Sequence, residues 1–394
     1  MTVDLEPSGS QTLETSQLNR ADTRPRLEFI DFTRGLVMVL MAWDHVSGFW
    51  NKTHGGLEGI MKVRSPDLDL VHFLSRFVTH YCAPAFIFLA GTSLALSSAR
   101  RLSRGATQLE ITKHILIRGL VLVLMEPLVV SPAFGLPWLT VGVISCIGIC
   151  LMLFSVARRL PPWAILTGSL IVVFNHQWLD LGLIPDTVAW GHYLRVILHE
   201  PGYSWPPYFG FYTVIPWVGV MGLGYCFGVY LNGLDSDKIM ALKAPLALTG
   251  LASSALFFLV RYFNGYGNLV LRWGDDVRDW LYLSKYPPSV AFLLWTLGGM
   301  CLFMALGLII EGRGRPREGL PGVLNTFGRT PLFFYLVHLW LYRFRLPGVP
   351  EPPFWLGIPE TLVLWFAGLA VLYYLCRRFE ALKRAHPGSP LQYI

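Results

Sequence analysis

Residues Ile30–Trp50 read IDFTRGLVMVLMAWDHVSGFW, an apolar stretch long enough to cross a bilayer that also carries Asp31, Arg34, Asp44 and His45. Ionisable side chains are costly inside a membrane and usually serve a function there. At about 100° per residue, Asp31, Arg34 and His45 fall on one face of the predicted helix, with Arg34 and His45 roughly 16 Å apart along its axis. The helix therefore places polar chemistry near both boundaries of the membrane.

The composition of the whole chain is typical of a membrane protein. Of its 394 residues, 53% are hydrophobic and only 14% are charged, about half the charged share of an average soluble domain. The net charge of +7 does not indicate a nucleic-acid partner, because Lys and Arg occur in short clusters between apolar segments, where they orient helices. The six cysteines form no CxxC pair and no HExxH motif occurs, so we expect neither disulfides nor a metal site.

Long apolar segments recur along the chain and predict an all-α, polytopic integral membrane bundle of about ten transmembrane helices. Lys and Arg concentrate in alternate connections between these segments, which by the positive-inside rule predicts that both termini are cytoplasmic. The predicted segments are approximately 30–50, 77–98, 114–131, 138–157, 161–178, 208–231, 243–263, 287–310, 328–345 and 355–376.

The chain divides into a transmembrane domain and two tails. Residues 1–25 are polar, with neither a basic start nor an apolar run, and predict a disordered cytoplasmic tail rather than a signal peptide. Residues 26–385 form the predicted transmembrane domain, and residues 386–394 form a cytoplasmic C-terminal tail. The longest connections all fall on the predicted outer side, where functional residues are expected to gather. They comprise residues 51–76, 179–207 and 264–286.

Further short motifs follow the polar first segment in a fixed order. They are Glu28–Leu36 (EFIDFTRGL) with Asp44 and His45, Pro84–Ser93 (PAFIFLAGTS), Ile215–Gly219 (IPWVG), Tyr286–Ser289 (YPPS) and Phe327–Pro331 (FGRTP) with Tyr335 and His338. In this order they resemble the heparan-alpha-glucosaminide N-acetyltransferase catalytic-domain family, a bacterial and lysosomal group of membrane acyltransferases. The resemblance extends over about residues 26–376. It implies a transmembrane acyltransferase that, in a bacterium, lies in the inner (cytoplasmic) membrane.

The same resemblance implies the substrates and the site. Acetyl-CoA would be the donor, and the acceptor would be an amine or hydroxyl of an outward-facing sugar or glycan. Arg34 and His45 also resemble the arginine–histidine motif of membrane acyltransferases that modify bacterial polysaccharides, in which the histidine is the catalytic base. In the lysosomal enzymes Asn stands where His45 aligns, and the essential histidine lies at an offset similar to that of His54. His45 and His54 are therefore both candidate catalytic residues.

The chemistry of acyl transfer explains why a histidine is needed. The attacking amine or hydroxyl must lose a proton, and imidazole titrates near neutral pH. A histidine can act as that base, or it can attack the thioester and carry the acetyl group itself; the sequence leaves both routes open. Asp44 points about 100° away from His45, so we expect it to hold His54 or to bind acceptor hydroxyls. Arg34, with Asp31 one turn earlier, is the candidate for binding the coenzyme.

Other functions are compatible with the same residues. Asp31 and Arg34 could form only a structural ion pair, and His54 could be an exposed loop histidine. The competing function is a small-molecule transporter or exporter in which Asp31, Arg34, Asp44 and His45 relay protons. A third is a structural membrane protein, in which substitution of these residues has no effect. The predicted partners are the lipid bilayer, acetyl-CoA, a sugar acceptor and a possible second copy of the chain.

Overall fold

The computed structural model describes most of the chain as a helical bundle with one small sheet. The predicted N-terminal tail, residues 1–25, and the candidate His54 lie outside the described residues. The described residues are 26–51, 69–179, 181–185, 187–203, 208–314, 318–344, 356–386 and 388–393.

The elements alternate between long helices and short connecting ones. In chain order the α-helices are α1 (Glu28–Trp50), α2 (Leu70–Phe77), α3 (Cys82–Ser103), α4 (Gln108–Met125), α5 (Ser131–Phe134), α6 (Val143–Ala157), α7 (Pro162–Asn175), α8 (Ala189–Leu198), α9 (Val214–Gly233), α10 (Ser236–Ala241), α11 (Lys243–Phe263), α12 (Val277–Leu281), α13 (Val290–Gly312), α14 (Gly319–Arg329), α15 (Pro331–Arg343) and α16 (Ile358–Ala385). The strands are β1 (Leu139–Val141), β2 (Gly202–Tyr203) and β3 (Tyr208–Gly210). β3 lies between the other two, parallel to β1 and antiparallel to β2.

Six helical stretches of the described chain are long and apolar enough to cross a membrane. They are Leu70–Ser103, Gln108–Phe134, Val214–Gly233, Ser236–Phe263, Val290–Gly312 and Ile358–Ala385. Each of the ten apolar segments predicted from the sequence overlaps a helix of the bundle, but the segments at 138–157 and 208–231 begin in strands β1 and β3, which the all-α prediction did not include. The number of ten spans stays a prediction.

Helix α1 lies at the centre of the bundle. It packs against α3, α13, α14, α15 and α16. Phe29, Val37, Ala42 and Val46 on this helix are completely buried. Because protein surrounds α1, its ionisable side chains face other helices, and the cost of exposing them to lipid is avoided.

Helices α1 and α14 cross with their backbones in contact. A Cβ atom on Gly35 would overlap the carbonyl oxygen of Leu324, and a Cβ atom on Gly328 would overlap that of Asp31. Small residues permit helices to approach this closely in membrane proteins. The crossing therefore fixes Arg34, the neighbour of Gly35, beside α14.

We call the end of the bundle at which α1 begins the basic end, because Arg26 and Lys383 lie together on a cavity there. The C-terminal segment also returns to the helices near this end. Residues Pro390–Tyr393 form a short 3₁₀-helix, and the ring of Tyr393 lies 5.0 Å from the ring of His114 on α4. The part of the predicted tail that is described thus packs against the bundle.

Candidate active site

Arg34 lies about two turns into α1 and connects three helices. Its Nη1 donates to Asp31 Oδ1 at 3.1 Å and to the Gly328 carbonyl oxygen at 2.9 Å, and its Nη2 donates to Ser93 Oγ at 2.8 Å. The planar guanidinium has several N–H donors in a fixed geometry, so one side chain can hold all three acceptors. Arg34 therefore ties α1 to α3 and α14 at the basic end.

The Asp31 carboxylate is almost completely buried, with 2% of the residue exposed. Arg26 donates to both of its oxygens, Arg34 donates to one, and Arg329 Nε lies 4.0 Å from Oδ2. A buried charge is stable only when it is paired and hydrogen-bonded. The ion pair expected between Asp31 and Arg34 is thus present, as part of a larger network that holds Arg26 and Arg34 in place.

A cavity of about 380 Å³ opens beside this network. Five cationic side chains line it, contributed by segments far apart in the sequence: Arg26, Arg34, Arg118, Arg329 and Lys383. Within the part of the chain that the structure describes, no acidic residue lines this cavity. A cleft lined by charges of one sign concentrates ligands of the opposite sign, and guanidinium groups bind phosphate oxygens with paired hydrogen bonds. The cavity is therefore suited to a polyanion.

The remainder of the cavity lining is mostly apolar. Met38 of α1, Phe86 and Leu89 of α3, Ile147 of α6 and Tyr335 of α15 contribute to it. Small-molecule sites commonly combine an apolar wall with a few polar groups that fix orientation. The cavity thus offers a charged region and an apolar region to one ligand.

Four of the five cations were not predicted as site residues. Arg26, Arg118 and Lys383 belong to basic clusters that the positive-inside rule already explains, and Arg329 is part of the FGRTP motif. No spacing in the sequence relates them to one another. Their common cavity becomes visible only when the helices are packed together.

His45 lies deeper in the bundle and contacts a second histidine. His45 Nδ1 is 2.6 Å from His338 Nε2, and the two rings are nearly parallel, at 16°, with centroids 4.9 Å apart, so they meet edge to edge at these nitrogens. His338 is completely buried, whereas His45 is partly exposed. The pairing of these residues, which are 293 positions apart, was not predicted.

Tyr335 connects the cavity with His45. It lines the cavity, and its ring centroid lies 6.2 Å from that of His45. The ring of Phe134 lies 5.2 Å from His45 in an edge-on arrangement. Tyr335 thus lines the apolar region of the cavity and also lies beside the candidate base His45.

Asp44 lies on a different side of α1 from His45, as its sequence position predicts. Its Oδ1 accepts a hydrogen bond from Thr79 Oγ1 at 2.9 Å and lies 3.5 Å from Arg76 Nη1. Polar groups therefore surround Asp44, whereas the aromatic rings of Phe134 and Tyr335 lie beside His45.

Another histidine pair lies outside this site, in the connections that follow α7 and α8. His176 Nε2 donates to the Pro288 carbonyl oxygen at 2.9 Å, and its Nδ1 is 3.0 Å from His199 Nε2. Burial lowers the pKa of His199, although the nearby Glu200 carboxylate opposes that shift. This pair contributes to packing between loops. Across the described residues, no group of three or more His, Cys, Asp or Glu side chains could hold a metal ion.

Comparison with known proteins gives two matches. Residues 26–263 match the family described as heparan-alpha-glucosaminide N-acetyltransferase, catalytic. A segment of 119 residues is 29% identical to heparan-alpha-glucosaminide N-acetyltransferase of Mus musculus. That segment is 30% of this chain and covers 16% of the length of the mouse protein. The family match includes α1 with Arg34 and His45, and also Arg118.

Proposed function

The chain belongs to the heparan-alpha-glucosaminide N-acetyltransferase catalytic family, and on that premise we propose that it is a transmembrane acetyltransferase that uses acetyl-CoA. The acceptor in this proposal is an amine or hydroxyl of a sugar or glycan on the opposite side of the membrane. The cavity with five cations carries the proposal, because it combines a site for a polyanion with an apolar passage toward His45.

The donor binds at the basic end in this proposal. Coenzyme A carries phosphate groups at one end and a narrow thioester-bearing arm at the other. Arg118, Arg329 and Lys383 would meet the phosphates, and the arm would extend past Met38 toward Tyr335. Arg34 belongs to this donor region. Asp31 acts indirectly, because its negative charge would repel a phosphate but positions the arginines that bind one.

His45 is the proposed catalytic residue at the thioester. As a base, its imidazole removes the proton of the acceptor while the acceptor's lone pair forms a bond with the thioester carbonyl carbon. The tetrahedral intermediate then expels the thiolate of coenzyme A, which takes the proton from the imidazolium. In the alternative route, an imidazole nitrogen attacks the carbonyl carbon and the thiolate leaves. The acceptor then attacks the acetyl carbon, the imidazole nitrogen leaves, and the acceptor's proton passes to the thiolate. His54 remains the second candidate for either role.

The acceptor approaches from the other side of His45 in this proposal. Asp44 and Arg76 supply polar groups there, and Asp44 is the candidate for contacting acceptor hydroxyls. A protein with ten spans, both termini in the cytoplasm and a place in the bacterial inner membrane would put the basic end next to cytoplasmic acetyl-CoA. The distribution of Lys and Arg supports this orientation.

The decisive experiment measures acetyl transfer by the purified full chain. Labelled acetyl-CoA is supplied with a panel of amino sugars, and release of free coenzyme A is followed in parallel. We expect turnover by the natural chain and a loss of about two to four powers of ten in rate for His45→Ala, with coenzyme A binding retained. If His54→Ala is inactive and His45→Ala is active, the base is His54.

Two outcomes separate the alternatives. Exchange of label between acetyl-CoA and free coenzyme A in the absence of acceptor supports the acetyl-histidine route, whereas its absence supports direct transfer. A protein that never cleaves the thioester, yet moves a solute across proteoliposomes in a proton-dependent way, is a transporter. That result would overturn the proposed function.

A further inference from the structure

His338 has a single chemically consistent arrangement of protons. Its Nδ1 lies 2.9 Å from the carbonyl oxygen of Phe334, one turn earlier on α15. A carbonyl oxygen only accepts, so Nδ1 carries the hydrogen. A neutral imidazole has one N–H, and a charged one would be costly in this completely buried position. His338 Nε2 is therefore a lone-pair acceptor.

That acceptor determines the tautomer of His45. His45 Nδ1 lies 2.6 Å from His338 Nε2, and two lone pairs at this distance would repel each other. His45 Nδ1 must therefore carry the hydrogen and donate it. The remaining nitrogen of the neutral His45 ring, Nε2, then has a free lone pair.

We propose that His338 is a positioning residue that holds His45 in the Nδ1–H tautomer, so that Nε2 is the atom that takes the acceptor's proton or attacks the thioester. This inference rests on the proposed function for its consequence in catalysis, although the tautomer itself does not. When Nε2 gains a proton or the acetyl group, the ring becomes positive. The hydrogen bond from Nδ1–H to the His338 lone pair then strengthens, because its donor is charged.

The choice of histidine at position 338 has a physical reason. A carboxylate in the same place would fix the same tautomer, but it would be a buried negative charge while the site is empty. The histidine pair is neutral in that state. The Asp44 carboxylate is bound to Thr79 and Arg76 instead, on another side of α1. Of Asp44 and His338, it is His338 that has an acceptor atom, Nε2, within hydrogen-bond distance of His45 Nδ1.

Two substitutions of His338 separate positioning from packing. Gln at this position retains an acceptor oxygen at about the reach of Nε2, whereas Leu fills similar space with no acceptor. We expect His338→Leu to lower kcat about a hundredfold or more with the KM for acetyl-CoA changed less than about twofold. His338→Gln should recover most of kcat. His176→Gln, which alters a buried histidine of the other pair, is the matched control and should leave kcat unchanged.

A spectroscopic measurement tests the tautomer without any need for turnover. ¹⁵N NMR of histidine-labelled natural chain, with His45→Gln used to assign the signal, reports which ring nitrogen of His45 is protonated. We expect protonated Nδ1 in the natural chain and in His338→Gln, and a shift toward protonated Nε2 in His338→Leu. A natural chain with the Nε2–H tautomer overturns the inference, as does a folded His338→Leu variant with full kcat. A chain with the expected tautomer but no acetyl transfer refutes the proposed function and leaves the tautomer assignment standing.

Discussion

The contact between α1 and α14 gives a sharp test of how the site is assembled. We expect Gly35→Ala and Gly328→Ala each to destabilise the protein and weaken binding of acetyl-CoA. Each new methyl group would overlap a backbone carbonyl oxygen of the facing helix, that of Leu324 or Asp31, and ordinary contact requires about 3.5–4.0 Å. The helices must therefore separate by more than about 1 Å.

The expected decrease in the free energy of unfolding has two sources. Overpacking of this kind costs about 1–3 kcal/mol. Separation also lengthens the bond from Arg34 Nη1 to the Gly328 carbonyl oxygen, now 2.9 Å, and a hydrogen bond from a charged group contributes about 1.5–3 kcal/mol. The sum is about 2.5–6 kcal/mol for either substitution. Arg34 would shift with α1, so the donor cavity would change shape as well.

The assay is thermal unfolding of the detergent-solubilised chain with and without acetyl-CoA. Gly168→Ala in α7 is the matched control, because an atom added there meets nothing within 4 Å. It should be neutral or stabilising by up to about 1 kcal/mol, since Ala favours helix more than Gly does. If Gly35→Ala and Gly328→Ala unfold at the same temperature as Gly168→Ala and bind acetyl-CoA equally well, the backbones of α1 and α14 are not in contact and the reasoning is refuted.

Three further predictions concern the donor, the orientation and the loops. Arg118→Gln or Lys383→Gln should raise the KM for acetyl-CoA about tenfold with kcat little changed, and this effect should weaken in high salt. The control Lys238→Gln, which changes an exposed lysine, should behave as the natural chain. A change in kcat alone would contradict this prediction. A cysteine in place of the exposed Leu183 should react with an impermeant reagent in intact cells and one in place of Lys238 should not, and the reverse pattern would refute the orientation. Because burial lowers the pKa of His199 in the folded chain, the unfolded chain binds more protons as the pH falls below about 6.5. The contribution of His199 to stability is therefore complete above that pH and is lost below it. When thermal unfolding is measured against pH, His199→Gln should show a smaller loss of stability on acidification than the natural chain.

The amino-acid sequence by itself determined the helical membrane character and the spacing of polar residues along the first helix. Both depend on local properties, namely the length of apolar segments and the period of the α-helix. The same period placed Asp31 and Arg34 one turn apart, and their ion pair is present. It also placed Asp44 away from His45, and its carboxylate contacts Thr79 and Arg76. The small sheet of short strands has no comparably strong sequence signal.

Only the tertiary structure decided which distant residues meet. Arg118 and Lys383 have the sequence context of orientation signals, yet they line one cavity with Arg34. His338 is a buried histidine on a helix of its own, and its contact with His45 depends on how α15 packs against α1. Periodicity relates residues on the same helix, but the distance between residues on different helices depends on which faces pack together. That packing is decided by close contacts such as those of Gly35 and Gly328, which no local pattern specifies.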